Sequence, residues 1–329
     1  MAASKPHEKR VLVTGAGGFI GHHLVSYLKK KGYWVRGVDL KYPEYEVTRA
    51  DEFELLDLRR WGNCLQATRN IDEVYALAAD MGGMGYISSH HANILHSNTL
   101  INFHTLEAAH INGAKRYFYT SSACVYPEYK QTKAKVTPLK ESDAYPAEPQ
   151  DAYGWEKLIT ERLCNHYFED YGLQTRVVRF HNIFGPLGTW DGGREKAPAA
   201  MCRKVAIAKF SGNHEIEVWG DGKQTRSFCY IDDCVEGIHK LMRSNYKEPL
   251  NLGQDRMVTI NGLANMVADA AGIKIKIKHV EGPQGVRGRN SDNTELKRVL
   301  KWEPKTSLEE GLTRTYEWIE KQVKDKYSF

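Results

Sequence analysis

Apolar and polar positions along this chain change period repeatedly, and each change marks an element. "KRVLV" is a short β-branched run that passes through Gly15, Gly18 and Gly21 into a segment where Phe19, Ile20, Leu24, Val25 and Leu28 recur at helical spacing. A second apolar run, "YWVRGVDL", follows and closes near Asp39. "EFELLDLRR" then places Asp57 just beyond another strand, and "DEVYALAAD" supplies a strand that ends in small residues. "NTLINFHTLEAAHIN" reads as a helix leading into the strand "KRYFYTSSACVY". In "DAYGWEKLITERLC" the helical period sets Tyr153 and Lys157 on one face, with Leu158 and Leu163 as apolar partners. Near residue 274, "KIKIKH" alternates with period two and predicts a strand with one apolar and one wet face. Alternation of strand and helix predicts an α/β fold: a doubly wound parallel sheet with right-handed crossovers, whose ligands gather at the carboxyl ends of the strands.

Composition narrows the function classes. A chain of 329 residues, 41% hydrophobic and with seven Trp, can bury a real core. Apolar runs such as "VLV" and "VYALAA" fall far short of the roughly 20 residues that cross a bilayer, and "MAASKPHEKR" lacks the apolar centre of a leader. The expectation is a soluble, cytoplasmic protein with no membrane partner. A net charge of +5, spread along the chain, suits an anionic small molecule at least as well as it suits nucleic acid, and no nucleic-acid partner is expected. Six cysteines without a CxxC pair or a histidine cluster indicate neither a disulfide framework nor a metal site.

Candidate chemistry concentrates in three places. The glycine turn between strand and helix is the arrangement that lets backbone approach a diphosphate at a helix N-terminus, and Asp39 stands where a carboxylate accepts hydrogen bonds from a ribose. A carboxylate there repels a 2′-phosphate, so the expected cofactor is NAD rather than NADP. Tyr153 and Lys157 make a candidate base: a phenol of ordinary pKa ~10 ionises near neutrality when an ammonium and a positive nicotinamide ring stabilise it. Ser122, at a strand end, would hold the substrate hydroxyl. Cys124, in "SSACVYP", lies on the same side as the cofactor.

The glycines, Asp39, the serine-rich strand end and the Tyr153–Lys157 pair together resemble the extended short-chain dehydrogenase/reductases that act on nucleotide sugars. The resemblance covers nearly the whole chain: "VVRFHNIFGP" with Asn182, "VWGDGKQTRSFCYIDD" with Arg226, and "LNLGQ" are similar to that family's substrate and return segments. Dehydratases of the family carry an acidic pair where Ala123 and Cys124 stand, and ordinary 4-epimerases usually a small or hydroxylic residue at the cysteine position. "MGGMGYI", "SSACVYPEYKQ", "GGREKAPAAMCRK" and "GVRGRNSDN" resemble instead the branch that epimerises a GDP-hexose on both sides of C4.

This resemblance implies a Rossmann-type domain over residues 1–184 with a returning segment near 226–255, a smaller C-terminal substrate domain over 185–329, and a homodimer. It implies that Gly15, Gly18, Phe19, Ile20, Gly21, Asp39, Asp57, Tyr153 and Lys157 meet NAD, with Asp57 at the adenine. It implies that Cys124 and Lys196 are the acid/base pair of inversion. Gly82, Ser122, Ala123, Asn182, Glu195, Ala197, Lys204, Gln224, Thr225, Arg226 and Arg287 are then expected around a GDP-sugar, with Arg289 able to exchange roles with Arg287. The C3 and C5 protons of a hexose are not acidic, so C4 must first be oxidised, after which a base on one face and an acid on the other invert the flanking carbons. A GDP-4-keto-6-deoxymannose epimerase/reductase, which shares a strand-end cysteine but consumes NADPH, and a non-catalytic nucleotide-binding protein of the same fold are the competing readings.

Overall fold

The computed structural model describes residues 9–327. Most of the opening segment read above as lacking a leader's apolar centre, residues 1–8, lies outside the described residues. The first half runs β1 (Arg10–Thr14), α1 (Phe19–Lys30), β2 (Trp34–Asp39), β3 (Glu52–Leu55), α2 (Trp61–Thr68), β4 (Glu73–Ala76), α3 (Met84–Ile87), α4 (His91–Ile111), β5 (Arg116–Ser122), α5 (Ala152–Tyr171) and β6 (Gln174–Phe180). The second half runs β7 (Ile183–Phe184), α6 (Ala197–Ser211), β8 (Glu215–Trp219), β9 (Thr225–Ser227), β10 (Cys229–Tyr230), α7 (Ile231–Arg243), β11 (Leu250–Leu252), β12 (Met257–Thr259), α8 (Ile260–Ala271), β13 (Lys276–Val280), β14 (Gly288–Arg289), α9 (Thr294–Leu300) and α10 (Leu308–Tyr327).

Seven strands form the central sheet in the order β11-β6-β5-β4-β1-β2-β3, every neighbouring pair parallel. The order reverses at β1, where the chain first goes outward to β3 and then crosses back to β4. That reversal is where a doubly wound sheet opens a crevice for a ligand. Both faces of the strands are buried, as a parallel sheet requires. Val11 and Val13 join Leu24, Val25 and Leu28 on one side, whereas Leu12 joins Val74, Leu106, Tyr117 and Cys164 on the other. The first of these clusters continues through Cys202, Val205, Leu263, Val267, Leu312 and Ile319, so α6, α8 and α10 share one core with the sheet. The alternating segment near residue 274 forms β13, parallel to β8 with Ile277 opposite Ile216, and its lysines 276 and 278 face solvent as period two predicted.

Three junctions position the site. β5 turns directly into a 3-10 turn over Ala123–Val125, with Ser122 as its cap. The N-terminus of α5 packs on that turn: Asp151 accepts from the Gly154 N–H at 2.8 Å, and a Cβ at Gly154 would lie 2.2 Å from the Cys124 carbonyl oxygen. Only glycine permits that approach. Finally, β9 and β14 pair in parallel with Arg226 opposite Arg289, bringing two guanidinium groups to one place.

Candidate active site

The glycine turn after β1 is built for close backbone contact. Gly15 has φ +70°, and a Cβ there would lie 2.9 Å from the Ala78 nitrogen; at Gly21 it would lie 2.1 Å from the Gly15 oxygen. Gly17, which the spacing argument passed over, is equally constrained, because its Cβ would fall 2.1 Å from the Lys41 oxygen. Its N–H donates to Asp39 at 3.0 Å, so the carboxylate expected at the ribose also anchors the turn, and its other oxygen accepts from Leu40 N–H at 2.6 Å. Gly18 begins α1 with no side-chain cap, so Phe19 and Ile20 open a helix whose first N–H groups and positive dipole end suit a diphosphate. Asp57 lies beyond β3, held by Arg59 at 2.8 Å, and that hydrogen bond keeps its carboxyl below the usual carboxylate range. A turn with no room for side chains, an uncapped helix and an acid at the end of β2 fit a dinucleotide carrying a free 2′-hydroxyl.

Across the sheet stand Tyr153, Lys157 and Ser122. Tyr153 is buried, with Ser122 beside its hydroxyl. Burial first, then the charge of Glu156, pushes the phenol well above the ordinary tyrosine value, and Ser122 opposes this. The Lys157 ammonium lies 5.3 Å from the centre of the Tyr153 ring and 5.0 Å from that of Tyr119, yet only 3.6 Å from a Glu156 oxygen. The ammonium does not face Tyr153 as a lone charge.

The cysteine turn carries the second group. Ser122 accepts from the Cys124 N–H at 3.2 Å and so sets the direction in which the thiol leaves the strand end. Arg289 donates to the Cys124 sulfur at 3.4 Å and is itself held through Nε by the buried Gln131 at 2.6 Å. Among the described residues Arg226 donates only to carbonyls, those of Thr225 at 2.8 Å, Val286 at 2.6 Å and Gln284 at 3.3 Å. Burial, with the charge of Arg289 beside it, pushes its guanidinium down to about 9. Two arginines without a carboxylate in hydrogen-bond or ion-pair reach, among the described residues, form an anion-receptive wall beside the thiol. Arg287 lies further out, both terminal nitrogens on Asp221 at 2.7 Å. Of the two arginines whose roles were left open, Arg289 is the one that touches the cysteine.

Lys196 is the residue just before α6. Burial pushes its ammonium down, and the neighbouring Cys124 opposes that shift. Glu195 is held by Arg203 and the Gly193 N–H, each at 2.7 Å, and Ala197 begins the helix. This loop touches the glycine loop of the first half: Gly83 donates to the Arg194 oxygen at 3.1 Å, a Cβ at Gly83 would lie 2.7 Å from the Glu195 oxygen, and Gly82 leaves the corresponding room against Tyr86. Ala123 is buried within the cysteine turn. Asn182 adopts φ +49° and donates to the Ser227 oxygen at 2.9 Å. Gln224 donates to the Trp219 oxygen while its own side-chain oxygen is buried without a partner. Thr225 and Lys204 are turned to the carbonyls of Ala134 and Glu217.

Sequence reasoning missed Gly17, Gln131 and Glu156. Gly17 was readable, since "GAGG" offers it beside Gly18; Glu156 carried a weaker signal, an acid three residues after Tyr153 and directly before Lys157.

Comparison with known proteins agrees with this geometry. The model of the NAD dependent epimerase/dehydratase family matches residues 11–253. The chain is 54% identical over 321 residues to GDP-mannose 3,5-epimerase 1 of Oryza sativa subsp. indica, covering 97% of this chain and 84% of the relative. It is 54% identical over 316 residues to GDP-mannose 3,5-epimerase of Arabidopsis thaliana, covering 95% and 83%. Among solved structures, UDP-glucose 4-epimerase with UDP-glucose from Thermotoga maritima superposes with a TM-score of 0.86 at 28% identity, covering 95% of this chain and 99% of that one. A family model over most of the length, with relatives this similar, settles the kinship: the chain belongs to the NAD dependent epimerase/dehydratase family.

Proposed function

We propose that this chain converts GDP-D-mannose to GDP-L-galactose by epimerising C3 and C5, with the 5-epimer GDP-L-gulose as a second product. One observation carries the reading beyond family kinship: Cys124 leaves the end of β5 with its N–H on Ser122, and the Tyr153 phenol lies beside that same serine, so a group for carbon acid chemistry and a group for alcohol oxidation share one site. The 54% identity to GDP-mannose 3,5-epimerases over nearly the full length supports the substrate.

The cofactor is NAD, which supplies the hydride acceptor at C4 and afterwards its donor. Gly15, Gly17, Gly18 and Gly21 hold it with Asp39 and Asp57. Tyr153, steadied by Ser122 and Lys157, takes the C4 hydroxyl proton. Both flanking C–H bonds are then alpha to a ketone. Cys124 removes a proton from one face and Lys196 returns one from the other, at C5 and then at C3; re-reduction of C4 leaves no net redox change. A lysine held below its ordinary value by burial gives up a proton more readily, as an acid must. Arg226, with Arg289 or Arg287, takes the diphosphate, and Gly82, Ala123, Asn182, Glu195, Ala197, Lys204, Gln224 and Thr225 frame the GDP-sugar.

The same reading divides the chain into a cofactor domain over 1–184, with a return near 226–255, and a substrate domain over 185–329. It makes the protein cytoplasmic and a homodimer. Exposed Leu95 on α4 and Trp155, Ile159 and Tyr171 on α5 support a self-association face. No helix among the described residues is long and apolar enough to cross a membrane. The test is incubation of purified protein with GDP-mannose and identification of the sugars by NMR. GDP-L-galactose is expected; absence of any epimer, with NADPH consumed on a GDP-4-keto-6-deoxy sugar instead, would overturn the reading.

A further inference from the structure

Glu156 is 1% exposed and its charge has no solvent to stabilise it. Its two oxygens accept from Asn98 and Asn102, each at 2.9 Å, and Tyr119 reaches it at 3.5 Å. The orientation of Asn98 is fixed independently, since its side-chain oxygen accepts the Asp80 N–H at 2.6 Å and its amide nitrogen must therefore turn to Glu156. Two N–H donors aimed at two oxygens is the hydrogen-bonding pattern of a carboxylate. Beside it, 3.6 Å away, lies the equally buried Lys157. A merely structural role for this acid would not require it to touch the one ammonium next to Tyr153.

We infer that Glu156 is a positioning residue for the C4 oxidation: it offsets the charge of Lys157 and makes ionisation of Tyr153 depend on the positive ring of the oxidised cofactor. The inference rests on the function proposed above. Among the described residues, the main charged and titratable groups around the pair fit this balance. Lys157 and Tyr153 come from α5 and Tyr119 from β5, while α4 offers only the neutral Asn98 and Asn102; Cys124 and Asp151 act on Tyr153 from the turn and the cap. Burial pushes the Glu156 carboxyl up and Lys157 opposes it, while Glu156 pushes the Tyr153 phenol up. With the acid and the ammonium cancelling, the phenol stays protonated until a further positive charge arrives, and it regains its proton when that charge is removed. Base strength is thereby tied to the oxidation state of the cofactor.

The experiment compares Glu156→Gln with the unaltered protein, and adds the exchange variant Glu156→Gln with Asn102→Asp, which moves the charge across one hydrogen bond. Loss of a buried unit charge at this range should move the acidic limb of the pH–rate profile lower by about one unit, and shift the ratio of bound NAD⁺ to NADH about tenfold toward NADH. The latter is read from the near-ultraviolet absorbance of the holoprotein, without turnover. The exchange variant should return both readouts toward the unaltered protein. A second measurement needs no folded variant at Glu156. Phenolate difference absorbance, assigned with Tyr153→Phe, should appear at mildly alkaline pH when the unaltered protein binds NAD⁺ and not when it binds NADH. An unmoved profile and cofactor ratio in Glu156→Gln, or a phenolate signal indifferent to the form bound, overturns the inference. Failure of the unaltered protein to epimerise GDP-mannose would instead reject the proposed function, and the bound NAD⁺ to NADH ratio in Glu156→Gln, read without turnover, would still decide the role of Glu156.

Discussion

Tyr153 and Cys124 meet at Ser122, yet they act on different bonds, and single substitutions should separate them. Tyr153→Phe removes the group that takes the C4 proton, so every epimer should fall by about 10²- to 10⁴-fold in an NMR assay of GDP-mannose turnover. Cys124→Ser keeps the shape and discards the acidity of a thiol. In heavy water the unaltered protein should place deuterium at C3 and C5 and none at C4, because the C4 hydrogen travels as hydride. Cys124→Ser should still form NADH transiently while losing most of the deuterium; uptake at the unaltered rate would make Cys124 a packing residue. Lys196 gives a pH prediction whose sign follows from its burial. It acts protonated, so activity is lost as pH rises through its pKa, and burial places that loss below the ordinary lysine value of about 10.4. Lys196→Arg stays charged but cannot release a proton, so inversion should fall ~10²-fold across the whole range without a new alkaline limb.

Between elements, the contact that matters most is α5 against the cysteine turn. Gly154→Ala would drive a methyl into the Cys124 carbonyl, 2.2 Å from where its carbon must sit. Displacement of α5 should cost about 1–3 kcal/mol in urea unfolding, and because Tyr153 and Cys124 lie on opposite sides of that contact, turnover should fall up to ~10²-fold. A loss of stability without loss of turnover would show that the contact serves packing alone. Such contacts also mark how far the sequence could be read. Strands β1, β2, β4 and β5 were legible because both faces are buried and the runs are apolar; α1 and α5 were legible from the spacing of Leu24, Val25 and Leu28 and of Leu158 and Leu163. Tyr153, Lys157 and Ser122 fell together because the N-terminal end of α5 packs on the turn that follows Ser122 at the end of β5. The Gly154 approach and the Gln131–Arg289–Cys124 chain were not legible, since they join segments 30 and 165 residues from the cysteine through backbone or side-chain geometry that has no period. The start of α4 at His91, seven residues before the helical pattern at Asn98 was recognised, was hidden by its histidines and exposed polar residues.

For the molecule as a whole, one core cluster reaches from Val11 in β1 to Val323 in α10. The two halves of the chain should therefore lose structure together. Differential scanning calorimetry should show one transition, moved upward by NAD, with about 2.7 kcal/mol of added stability at a hundredfold excess over its dissociation constant. Two transitions, with NAD raising one alone, would contradict a shared core.

The sheet of the first half is finished by β11, a strand of the second, with Leu250 beside Val178 and Leu252 beside Phe180. Asn251 between them accepts from Tyr126 at 2.5 Å and donates to the Leu139 oxygen at 2.8 Å. This has a meaning for inheritance. Recombination with a related gene between the codons of β6 and β11 would seat one parent's edge strand against the other parent's sheet, and would set an unfamiliar side chain among Tyr126, His181 and Leu139. An exchange beyond Leu252 leaves that seam with a single parent. Lineages of such enzymes are thus expected to trade their substrate specificities by substitution within the second half far more readily than by shuffling it as a cassette.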